Sequence, residues 1–160
     1  SEHDVPVMAM IRPRGGNFVY NDIELKIMEA DLFQAQELGV DGVVFGALMV
    51  DGSLDEDAME QLIGAANGMQ ITFHMAFDAI PVAKQAESID WLVEHGVDRI
   101  LTHGGPLTQP IEDGLAQIKT NLEYASNRII VMPGGGVTAG NAENIQRELG
   151  VHELHGSKLV

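Results

Sequence analysis

Apolar runs of four to seven residues alternate with longer segments of helical period along the whole chain. Val5 to Ile11 is apolar on both of its alternating faces, as a parallel strand covered on two sides requires. From Asp22 to Leu38 the period changes, and Leu25, Met28, Leu32 and Ala35 fall on one stripe, with Asn21 and Glu24 spaced as a capping box and Gly39 as the stop. Gly42 to Leu48 reads as the second strand. A helix capped near Asp55 follows, with Met59, Leu62 and Ala66 on one side. The pattern predicts a third strand over 70–77 and a helix from about Pro81 to His95 that turns Val82, Ala86, Ile89 and Val93 inward. It continues with a strand over 99–102, a helix carrying Leu115, Ile118, Leu122 and Ala125, a strand over 128–132, a helix capped at Thr138 and ending at Leu149, and a sixth strand from Glu153 to about Val160.

The helix-to-strand junctions repeat. Leu38-Gly39-Val40-Asp41, His95-Gly96-Val97-Asp98 and Leu149-Gly150-Val151-His152 each join a helix-ending glycine to a strand start, at separations of 57 and 54 residues. One further junction lies between each pair, so a strand-helix unit takes about 28 residues. Strict alternation at that spacing predicts an α/β fold, either a (β/α) barrel or a doubly wound sheet. Glycine-rich and polar residues gather at the ends of five of the six strands. A barrel carries its site at that face, whereas an open sheet concentrates it at one switch point, so the distribution favours the barrel. Eight-stranded barrels typically take about 250 residues. The expectation for residues 1–160 is therefore a single barrel domain, N-terminally incomplete, lacking the first two βα units and the final helix, with unpaired strand edges that favour a homo-oligomer.

Composition narrows the function classes. A hydrophobic content of 45% supports a core, and the absence of cysteine excludes disulfides, thiolate metal sites and thiol nucleophiles. A net charge of −15 argues against nucleic acid and anionic membranes as partners. No apolar run approaches the ~18 residues of a membrane span, and Ser1 to Asp4 lacks the form of a signal peptide, so the expected location is cytoplasmic.

Against that acidity, Arg12 and Arg14 stand in Met10-Ile11-Arg12-Pro13-Arg14-Gly15-Gly16-Asn17-Phe18, a glycine loop at a strand end. Guanidinium forks suit carboxylate or phosphate, so this loop is a candidate mouth for a small anion. Gly134, Gly135 and Gly136 end the fifth strand, and backbone donors in such loops also hold phosphate. Glu153, His155 and Ser157 share a face of the last strand, which adds His155 and Ser157 to the candidate ligand-binding residues. His74 and Asp78 end the third strand on one face, where histidine is a candidate proton shuttle and the carboxylate a candidate orienting group. For metal, His74, His103 and His155 could converge, with imidazole suited to copper or zinc, and Met10 offers a soft sulfur, so His103 and Met10 are the candidate ligands.

The order of motifs resembles the copper homeostasis protein CutC family, a cytoplasmic (β/α)8 barrel. The residues that carry the resemblance are Met10 to Phe18, Asp41 to Leu48, Thr72 to Asp78, Val97 to Gly105, Met132 to Val137 and Glu153 to Ser157. The resemblance implies a copper-handling protein and aligns Val5 with the third barrel strand. Met75 stands where the family usually has arginine, His103 stands where it usually has serine, and the cysteines to which copper contacts are assigned are missing. The residues themselves support an alternative, a TIM-barrel enzyme or binder acting on a small anionic or phosphorylated metabolite at the strand-end mouth.

Overall fold

The computed structural model describes residues 7–13, 17–105, 108–134 and 140–150. Five strands alternate with five helices: β1 Met8–Met10, α1 Asp22–Leu38, β2 Gly42–Phe45, α2 Glu56–Ala65, β3 Gln70–Phe73, α3 Val82–Glu94, β4 Arg99–Thr102, α4 Leu115–Ala125, β5 Ile130–Pro133 and α5 Ala142–Leu149. The expected capping box is formed at α1. The Asn21 side chain accepts from Glu24 N at 2.8 Å, and Glu24 Oε1 accepts from Asn21 N at 3.0 Å. The buried residues of α1 are Leu25, Met28, Leu32 and Ala35, and Gly39 ends the helix at φ 75°. Asp55 caps α2 by accepting from Ala58 N.

Every strand is parallel to its sequence neighbour, in the order β1-β2-β3-β4-β5. This sequential order belongs to an arc of a (β/α) barrel, because a doubly wound sheet reverses its order at a switch point. Register and alternation sort the side chains. Ile11, Val43, Phe45, Ile71, Phe73, Ile100 and Val131 lie in one buried cluster with Met28 and Leu32 of α1, Met59 and Leu62 of α2, Ile89 and Leu92 of α3 and Ile118 of α4. That face packs on the helices. The opposite face, which is the inner face of the arc, carries the register row Met10, Val44, Thr72, Arg99 and Ile130. Burying one of the large side chains contributes roughly 1.5–3 kcal/mol, while an exposed pair such as Arg147 with Glu143 contributes under about 1 kcal/mol, so the helix-facing cluster carries the stability.

The repeated junctions share a device. Asp41 Oδ2 accepts from Val7 N at 2.6 Å, and Asp98 Oδ2 accepts from Ile71 N at 2.8 Å. In each case the residue entering a strand reaches the backbone of the strand before it, and its own amide donates to the same neighbour's carbonyl, Val7 O or Ile71 O. Gly96 repeats the left-handed turn of Gly39, at φ 81°. Replacing Asp98 with alanine should cost about 1–2 kcal/mol, because the Ile71 amide inside the sheet loses its acceptor. Urea denaturation with an unchanged midpoint would exclude that role.

Some predicted elements are corrected. Strand three ends at Phe73 rather than 77, because His74 Nδ1 accepts from Ala76 N at 3.1 Å and starts a 3-10 turn over Met75–Ala79. Strand two likewise stops at Phe45. The inward face of α3 is Gln85, Ser88, Ile89 and Leu92, while Val82 is 63% exposed. Burial of Gln85 is possible because its amide is satisfied: it donates to Ile80 O at 3.0 Å and accepts from Asn121 Nδ2 at 3.0 Å and Gln117 Nε2 at 3.2 Å. The expected cap at Thr138 and the sixth strand lie outside the described residues.

Candidate functional site

At the exit of β3 the chain must leave the sheet, and His74 does this while placing its ring on the inner face. Ile11 N donates to Val44 O and His74 N to Phe45 O, so the ladder runs on past the ends of β1 and β3 and aligns Arg12, Gly46 and His74 in one row. Gly46 makes room for the imidazole: a Cβ there would stand 2.8 Å from His74 Cε1 and 3.1 Å from Phe73 Cε2. On the other side Phe18 lies 4.8 Å from the His74 ring centre, and the Arg12 guanidinium carbon sits 4.5 Å from the centre of the Phe18 ring. Arginine, phenylalanine and histidine thus form a stack that runs from solvent inward.

The electrostatics of His74 follow from that packing. Burial first, and the positive charge of Arg12 second, lower its pKa from 6.5 to about 4. The ring is neutral at physiological pH. Because Nδ1 accepts a backbone hydrogen bond, the single proton resides on Nε2, a buried atom with no hydrogen-bond partner. With Nδ1 engaged, the neutral ring presents an N–H donor at Nε2. Its expected orienting partner is engaged elsewhere. Asp78 accepts from Thr102 Oγ1 at 2.6 Å, His103 N at 2.8 Å and Gly104 N at 3.2 Å. It therefore ties the exit of β3 to the exit of β4. Burial raises its pKa, against the lowering effect of these hydrogen bonds.

His103 is buried, with Nδ1 3.0 Å from Gly134 O and Nε2 2.7 Å from Gln109 O. Gly134 N donates to Thr102 O at 2.9 Å, which binds the start of the triple-glycine segment to β4. Arg12, His74 and Gly134 are thus placed at the exits of alternate strands, β1, β3 and β5. Arg14, Gly135, Gly136, His155 and Ser157 lie outside the described residues. Sequence reasoning passed over Thr72 and Arg99, which are partners across β3 and β4 on the inner face. Strand alternation was the signal that would have found them, since Thr72 precedes His74 by two positions and Arg99 precedes His103 by four.

The profile of the CutC family matches residues 1–160. The chain belongs to the CutC family. A CutC family protein of Enterococcus faecalis is 57% identical over 159 residues, covering 99% of this chain and 76% of that protein. The copper homeostasis protein cutC homolog of Homo sapiens is 41% identical over 155 residues, 96% of this chain and 55% of its own length. The crystal structure of CutC from Streptococcus agalactiae matches with a TM-score of 0.95 and 50% identity, over 98% of this chain and 74% of that one. A mandelate oxidase structure, with a TM-score of 0.60 and 18% identity, shares the fold alone.

Among the described residues the donors do not form a site for a copper ion. The sequence has no cysteine, and among the described residues no group of three or more His, Cys, Asp or Glu is placed to hold a metal. Both nitrogens of His103 face carbonyl oxygens, so neither is turned toward a metal. Met10 is 58% exposed on the edge strand. In His74 the free nitrogen carries the proton, and ligation there would require giving up the Ala76 hydrogen bond. Among the described residues no helix is long and apolar enough to cross a membrane.

Proposed function

We propose that this chain serves in copper homeostasis, the role named for its human relative. The observation that carries the reading is the extent of the match: 57% identity to the Enterococcus faecalis protein over 99% of the chain. The same reading draws support from the close likeness to the Streptococcus agalactiae CutC structure. Because the donors described above do not form a metal cage, the proposed role does not rest on tight capture of copper by His103 or Met10.

Two measurements test it. In cells deleted for their own CutC protein, expression of this chain should restore growth in added copper; failure of a well-expressed chain to do so overturns the role. In a competition titration with Cu(I), the purified protein should bind weakly, since soft sites normally use thiolates. A tight one-to-one complex abolished by His103→Ala or Met10→Ala would show instead that these side chains rearrange to hold the ion.

A further inference from the structure

We propose that Arg12, Thr72, His74 and Arg99 form a binding site for a small oxyanion, a phosphate or carboxylate group, on the inner face of the sheet. The proposal is independent of the copper role. Its first support is two buried donors with nothing to donate to. Thr72 is 2% exposed and His74 4%, and neither Thr72 Oγ1 nor His74 Nε2 has a hydrogen-bond partner. Native interiors satisfy nearly all such atoms, and leaving one unpaired costs roughly 1–3 kcal/mol. Here two occur two residues apart, on one face of β3 and its exit.

Charge supplies the second support. Arg99 is the direct register partner of Thr72, and Arg12 shares the row of His74. Two of the nine basic residues of a chain with net charge −15 therefore flank the two unpaired donors. The His74 ring is held neutral and carries its proton on Nε2, so this side of the site donates and does not accept. A hydroxyl, an imidazole N–H and guanidinium groups together offer hydrogen-bond donation and positive charge, the complement of an oxyanion. A copper ion, which needs lone pairs, is the wrong ligand for this set. Arg12 is exposed, so the approach is from its side, over Phe18.

The test uses isothermal calorimetry of the purified protein at low ionic strength, with inorganic phosphate and with malonate as separate probes. Saturable binding of either is expected, and preference for one tells phosphate from carboxylate as the recognised group. Thr72→Val keeps the side-chain shape, so it should weaken binding by about tenfold while leaving the melting temperature unchanged or higher, because an unsatisfied hydroxyl has been removed. Arg99→Met should weaken binding by a similar factor and flatten its dependence on salt. In the wild type the His74 Nε2–H proton resonance should move on titration. Absence of saturable binding with both probes, or binding that Thr72→Val and Arg99→Met leave unchanged, overturns the site.

Discussion

Gly104→Ala should lose about 3 kcal/mol or more of folding stability, read as a shift of the denaturation midpoint. Gly104 has φ +80°, and a Cβ there would lie 2.2 Å from Gly114 O and 2.7 Å from Gly114 C. Both obstacles are backbone. Gly114 cannot retreat freely, since a Cβ on it would itself meet His103 O at 2.3 Å, so the two glycines pass back to back. Forced separation would also disturb the Asp78 contact to Gly104 N. The left-handed strain costs about 1–2 kcal/mol and overpacking about 1–3 kcal/mol. Gly39→Ala is the control: its φ is +75°, but nothing lies within 4 Å of the added carbon, so only the first cost applies. Equal losses in the two variants would show that crowding at Gly104 is not what matters.

Stability should also fall steeply with acid, with His74 as a principal cause. Its pKa is about 4 in the folded protein against 6.5 as the ordinary value, so the unfolded chain takes up the proton first as pH falls. The contribution is fully present above pH 6.5, declines between 6.5 and about 4, and amounts to roughly 3 kcal/mol over that window. Asp78 acts in the opposite sense. Its pKa is raised, so the folded state binds its proton first and gains from acid in the range above 3.8. The two are separated by variants: His74→Gln should flatten the decline between pH 6.5 and 4, as followed by urea denaturation across pH. An unaltered slope would mean that the ring is not neutral in the folded state.

Residues whose environment is set locally were legible in the sequence. The α1 stripe and its caps need only neighbours within one helix, and the strand over 99–102 needs only an apolar run between a glycine turn and a polar exit. The face of α3 was legible only in part: Ile89 is buried and Val93 packs on the core as expected, but burial of Gln85 depends on Asn121, 36 positions away on another helix. His103 shows the same limit at the site. Residue type suggested a metal ligand, but its role is decided by the carbonyls of Gly134 and Gln109, which no spacing rule connects to it. Arg99 looked like a mere strand start. It gains meaning only once β3 and β4 are in register and Thr72 stands beside it.

Asp41 and Asp98 enter alternate strands, β2 and β4, and each fastens the strand before it. At the other junctions β3 starts at Gln70 and β5 at Ile130, and no aspartate stands at either strand entry. Among the described residues the strand pairs β1–β2 and β3–β4 are therefore held at their entries by a carboxylate as well as by the backbone ladder, while the pairs β2–β3 and β4–β5 carry no such aspartate, so loss of either carboxylate loosens one pair and leaves the other fastened.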